Sequence, residues 1–224
     1  TLDASLNPIS SDGGKMTSAL GYSISKDTRD NWLNPTSGYY YQVSETFAGL
    51  GGDKNYLKSK LTGSYYLKHN YYDLVLGVQG EIGFIEGLGE NVSKSDRYTL
   101  GGRKVRGFNS SGIGPRETSS SSASAMGGNQ YYAGRIDFRS GFGMPKDTNI
   151  KWTVFTDFGT LWGVDDNVST YDSSTDTKKM RLSVGYGFSW ETPIGPLNFT
   201  WANAIEKESF DDTKVYQFRI GSRF

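Results

Sequence analysis

The chain has 224 residues, 35% hydrophobic and 14% aromatic, with 29 glycines, 15 tyrosines and no cysteine, and its 24 basic and 24 acidic residues cancel. Zero net charge removes the electrostatic case for nucleic acid, and the missing cysteines remove disulfide staples and thiolate metal sites. No apolar run is long enough for a transmembrane helix, yet a membrane β-barrel survives these exclusions, because strands that alternate lipid-facing and lumen-facing residues average out as hydrophilic.

The chain starts at Thr1 with neither an initiator methionine nor a charged-then-apolar leader, which is the opening expected of a processed chain or a fragment. Period-two alternation between turn signals then predicts about nine strands and no amphipathic helix. They fall at residues 17–26, 39–48, 56–68, 71–84, 129–139, 149–159, 179–191, 197–204 and 214–224. Many reach about ten residues, longer than the roughly five to six of soluble strands and suited to tilted membrane crossing.

Two strands show the alternation most clearly. Tyr72, Leu74, Leu76, Val78, Ile82 and Phe84 share one face against Asp73, Val75, Gly77, Gln79, Glu81 and Gly83. Met180, Leu182, Val184, Tyr186, Phe188 and Trp190 oppose Arg181, Ser183, Gly185, Gly187, Ser189 and Glu191. A soluble sandwich would alternate too, but with fewer bulky aromatics at strand ends. Here Tyr39, Tyr40, Tyr41, Tyr71, Tyr72, Tyr131, Tyr132, Trp152, Trp190 and Trp201 cluster near those ends, as interfacial girdles require.

Connections alternate short and long, with a forty-odd-residue loop at 85–128, as in outer-membrane barrels with short periplasmic turns and long outer loops. The link at 27–38 is the misfit, too long for a periplasmic turn. About nine strands also miss the even-number rule for bacterial single-chain barrels, so the chain is expected to be part of a larger barrel.

The long loop holds YTLGGRKVRGFNSSGIGPRE, Tyr98 to Glu117, in which glycines permit positive-φ turns around Val105-Arg106-Gly107-Phe108. It contains no GxxxxGK[ST] phosphate loop and lacks the aromatic spacing of an RNA-binding signature. Lys151, Thr153, Phe155 and Asp157 fall on the inward side of their strand, and Arg135, Asp137 and Arg139 on the inward side of the one before. Asp137 and Asp157 therefore project from adjacent strands into the lumen, where one planar guanidinium can bridge both.

No catalytic constellation assembles. His69 is the only histidine and sits at a short turn, so no cofactor, metal or enzymatic chemistry is expected. Asp165, Asp166, Asp172 and Asp176 lack EF-hand spacing and read as solvated loop charge.

VRGF with the preceding GG and following IGPR, then FTDFGTLW, SWETPIGPLNFTWA, the terminal YQFRIGSRF and the upstream DTRDNWLNPTSG together resemble the outer-membrane assembly and two-partner-secretion superfamily. The IGP turn and terminal segment are more similar to its assembly factors than to its secretion transporters. The resemblance implies an all-β, antiparallel transmembrane barrel of about sixteen strands, an even number. This chain would supply about the last nine strands over residues 1–224, and periplasmic POTRA domains and the first strands would precede it.

The resemblance also implies that the loop folds into the lumen and that Arg106 pairs with Asp157, making Val105, Arg106, Gly107, Phe108, Asp137 and Asp157 a latch. Tyr216, Phe218, Ile220, Gly221 and Phe224 would form one lip of a lateral seam and a C-terminal recognition signal, with Gly221 a hinge. The implied activity is nucleotide-independent insertion of β-barrel proteins into the outer membrane of a Gram-negative bacterium. The implied partners are nascent outer-membrane barrels, assembly-complex lipoproteins and outer-membrane lipid. The alternatives are a polypeptide-secreting transporter of the same superfamily, a passive porin or ligand-gated channel, and a barrel phospholipase whose nucleophile and base cannot be assembled around His69.

Overall fold

The computed structural model describes residues 15–70, 73–117, 124–141, 143, 149–165, 171–192 and 195–220. Tyr71, Tyr72, Asp166, most of the SSSSAS run, Gly221 and Phe224 lie outside the described residues.

Alternating faces and turn residues give β1 (Ala19–Asp27), β2 (Gly38–Ala48), β3 (Tyr56–His69), β4 (Leu74–Gly87), β7 (Gln130–Ser140), β8 (Ile150–Trp162), β10 (Arg181–Thr192), β11 (Gly195–Glu206) and β13 (Tyr216–Ile220). Between them lie the two-residue strands β5 (Gly107–Phe108), β6 (Arg116–Glu117), β9 (Tyr171–Asp172) and β12 (Thr213–Lys214). The nine longer strands form one antiparallel sheet in chain order, open between β1 and β13 among the described residues.

The outer face is apolar and exposed: Val78 and Ile82 on β4, Phe138 on β7, Val154 on β8, and Val184, Tyr186, Phe188 and Trp190 on β10. This is the surface of a sheet whose solvent is hydrocarbon. Two predicted girdle tyrosines face the other way. Tyr40 lines the inner cavity, and Tyr131 is 1% exposed and donates to the Glu81 carboxylate at 2.6 Å. Neighbouring residues in a strand point to opposite faces, so Tyr39 and Tyr41 send Tyr40 inward, and Tyr132 does the same to Tyr131.

The core lies inside the sheet, where the long loop packs on its inner wall. Leu100, Val105, Phe108 and Ile113 from the loop meet Ile85, Tyr131, Ala133 and Leu161 from the strands. The loop is far from structureless. Tyr98 and Gly128 exchange backbone hydrogen bonds at 2.9 and 3.0 Å, Leu100 bridges Ile113, and β6 pairs with β9.

The over-long link at residues 28–37 is an ordered turn built around one side chain. Asp30 accepts from Thr36 N at 2.8 Å, Thr36 Oγ1 at 2.6 Å and Ser37 N at 3.1 Å. Slight burial works against its charge, but these bonds prevail and hold the carboxyl down at about 2. The turn then folds across the inner face: Pro35 O accepts from Arg139 Nη2 at 2.7 Å, and Asn34 donates to Glu191.

The two faces are expected to answer differently to charge. Val154→Arg should destabilise the lipid-embedded protein by about 2–4 kcal/mol in urea titrations. Gln79→Glu, facing the basic cavity, should change stability by under about 1 kcal/mol.

Candidate functional site

The inner face of β8 presents Thr153, Phe155 and Asp157, and the loop delivers Arg106 onto them. Arg106 donates Nε to Asp157 Oδ2 at 2.7 Å and Nη2 to Oδ1 at 2.6 Å, and its backbone amide donates to Oδ2 at 2.9 Å. The guanidinium also stacks on Phe155, with its carbon 3.2 Å from the ring centroid. Asp157 has no solvent exposure and Arg106 only 5%. A bidentate, ring-stacked arginine neutralises a buried carboxylate with fixed geometry, which a lysine point charge would not do.

The expected second carboxylate does not join. Asp137, although close enough to attract Arg106, makes an ion contact of 3.3 Å with Arg139 on its own strand. The second partner of Asp157 is instead another arginine, Arg135, whose Nε lies 3.2 Å from Oδ1. One aspartate thus serves two guanidiniums, where one guanidinium was expected to serve two aspartates. The β7–β8 register sets Arg135 directly opposite Asp157, so the sheet supplies one cation independently of the loop.

Glycines make the room. Gly107 has φ +91°, and a Cβ there would sit 3.1 Å from Ser183 Cβ and 3.5 Å from Ala202 Cβ, so the loop backbone lies flush on β10 and β11. Gly185 faces the same way, and a Cβ on it would come within 2.5 Å of the Phe155 ring. Phe155, the first residue of FTDFGTLW, completes the site together with Arg135 and Gly185, which lie outside the quoted motifs.

Val105 and Phe108 flank the arginine with no exposure, anchoring it in the loop core. Among the seam residues, Tyr216, Phe218 and Ile220 are exposed on the outer face of β13 and paired across to Trp201, Phe199 and Leu197. The predicted last strand is split. Lys214 leaves the sheet to pair with Gly107, Thr213 pairs with Phe108, and among the described residues the ladder with β11 covers 216–220. Alternation reveals a strand but not its partner, so the change of partner at Val215 leaves no trace in the sequence.

The inner face also carries an open cavity of about 610 Å³ lined by Arg29, Lys60, Lys104, Arg135, Arg139 and Arg219 among others. Much of this charge is paired: Glu81 meets Lys60 and Lys104, both at 2.6 Å, and Asp27 meets Arg29 at 2.6 Å. The loop aspartates are hydrogen-bonding groups. Asp176 accepts from Gly163 N, Val164 N and the Tyr171 hydroxyl, and Asp165 from Val92 N.

Comparison with known proteins places this geometry. Residues 4–224 match the Omp85 superfamily domain. Outer membrane protein assembly factor BamA of Neorickettsia risticii is 33% identical over 223 residues, covering 99% of this chain and 29% of that protein. A SAM50-like protein of Schizosaccharomyces pombe is 31% identical across 95% of this chain and 46% of its own length. The crystal structure of Haemophilus ducreyi BamA lacking POTRA domains 1–3 superimposes with a TM-score of 0.80 at 25% identity, covering 92% of this chain and 42% of that one. The chain thus spans less than half the length of each of these relatives.

Removing one partner of a buried pair strands the other. Arg106→Ala is expected to destabilise the folded barrel by about 3–5 kcal/mol, read from urea unfolding. The Arg106→Ala/Asp157→Ala double variant should lose less than the sum of the two singles. Additive losses would show that the two residues act independently.

Proposed function

The chain belongs to the Omp85 superfamily, and on that premise we propose that it is part of a barrel that inserts and assembles β-barrel proteins in the bacterial outer membrane. The observation that carries the reading is the last strand. Before Val215 the chain is detached from the sheet: Thr213 and Lys214 pair with Phe108 and Gly107 of the loop, and β13 joins β11 from Tyr216 onward. The neighbouring β10–β11 ladder runs from Leu182 to Thr192.

Unpaired backbone groups cannot enter hydrocarbon, so a nascent barrel strand needs a partner before it crosses. A weakly held edge strand in an inserter offers that partner by β-augmentation, main chain to main chain. Its outward Tyr216, Phe218 and Ile220 already face the lipid the client must enter. The driving force is burial of the client's apolar face in the bilayer, so no nucleotide is required. In this mechanism Arg106, Asp157 and Phe155 keep the loop docked and the barrel wall in shape while the seam opens and closes.

A passive porin would need an unobstructed lumen, whereas here the loop fills the inner wall with a packed core. A secretion transporter would have to clear that core for each passenger.

The test uses the full-length protein in lipid vesicles. A disulfide tethering the last barrel strand to the first should abolish client insertion when oxidised and restore it when reduced. Insertion that proceeds unchanged in the oxidised protein would refute the seam. Arg106→Ala is expected to slow insertion under conditions where the barrel remains folded.

A further inference from the structure

Arg181 and Asp211 form an ion pair in which neither side chain has any exposure to solvent. Arg181 stands on the inner face of β10, at the end from which the long loops leave. It donates Nε to Asp211 Oδ2 at 2.9 Å and Nη2 to Oδ1 at 3.2 Å. Its Nη1 is directed to Lys179 O at 2.8 Å, to Thr177 O and Oγ1 at 3.3 and 3.2 Å, and to Thr160 Oγ1 at 3.3 Å. Asp211 Oδ2 also accepts from Glu208 N at 2.7 Å and closes the turn between β11 and β12. Burying two charges this completely is costly and is justified only when nearly every donor is used, as here.

The pair fixes one end of a short, continuous set of contacts. The next residue, Asp212, accepts from Asn109 N at 2.9 Å, donates its own amide to Gly112 O at 2.9 Å, and takes the Asn109 side-chain amide on Oδ1 at 2.8 Å. Thr213 and Lys214 then pair with Phe108 and Gly107, and Gln217 Nε2 donates to Phe108 O at 3.2 Å. The chain returns to the sheet only at Val215, whose carbonyl accepts from Ala202 N at 2.9 Å.

We propose that Arg181 and Asp211 are positioning residues for the last strand. They hold the turn at residues 207–212 so that Thr213 and Lys214 add to the luminal loop instead of to β11, and so tie the outer end of the strand to the VRGF segment. With the tie released, the same two residues are free to extend β13 along β11, whose Asn203–Glu206 stretch pairs with no strand on that side among the described residues. The loop then governs how much of the last strand is zipped into the sheet. That this strand is the seam rests on the function proposed above.

Hydrogen–deuterium exchange on the full-length protein in lipid tests the assignment. Arg181→Met should speed exchange at the Asn109 and Asp212 amides by about tenfold or more, the signature of a local opening, while β7–β8 amides keep their protection. An oxidised Asn109→Cys/Asp212→Cys disulfide added to Arg181→Met should restore the slow exchange.

If Arg181→Met fails to fold, the Arg181→Met/Asp211→Leu pair, which leaves no buried charge stranded, carries the same expectation. Unchanged exchange at Asn109 and Asp212 in a folded variant overturns the proposal, whatever insertion does. Faster exchange with client insertion unaffected supports the tie and counts against the seam reading.

Discussion

Asp157 lies on the inner wall with no access to water, neutralised by two guanidiniums and one backbone amide. A buried carboxylate without partners would be intolerable, so the wall is compatible with this residue only when an arginine comes to it. Arg135 arrives with its own strand. Arg106 arrives only if the loop folds back, and it brings the bidentate contact and the backbone amide that Arg135 does not supply, so the ion pair couples docking of the loop to the stability of the wall. The other inner-face features follow from that coupling: Phe155 beneath the guanidinium, Gly185 leaving space for the ring, and Gly107 letting the loop backbone touch β10 and β11.

The molecule is consequently inside out relative to a soluble sandwich, with its exposed apolar residues on the outer face and its packed core between loop and wall. Because the loop core includes Phe108, and Phe108 is the strand partner of Thr213, the loop also reaches the end of the chain. Arg106–Asp157 and Arg181–Asp211 thus lie at the two ends of one connected set of contacts, the first holding the loop to β8 and the second holding the turn that leads into the last strand.

Much of this was legible in the sequence because a strand's period of two assigns every residue to a face once one face is known. That rule placed Asp157, Phe155, Arg135 and Asp137 inward together, and the strand faces of β4 and β10 match it residue by residue. The same rule turns Tyr40 and Tyr131 inward, against the girdle expectation. Pairings were less accessible. Alternation cannot show that Asp157 takes Arg135 as its second partner instead of sharing Arg106 with Asp137, since all of these lie on the inner face and only register and side-chain reach decide. Nor can it show that Lys214 leaves β11 for Gly107, because either partner suits an extended backbone. The Asp27–Gly38 link looked anomalous by length alone, and becomes ordinary once Asp30 is seen to organise the turn.

The central claim is that Asp157 holds the loop in one position against the wall. A pulsed-EPR distance between spin labels at Ser110→Cys in the loop and Glu86→Cys at the end of β4, measured on the full-length protein in lipid, reads that position directly. The account predicts a single narrow distance with Asp157 intact and a broad or shifted distribution in Asp157→Asn. A distribution equally narrow and centred at the same distance in Asp157→Asn would contradict it.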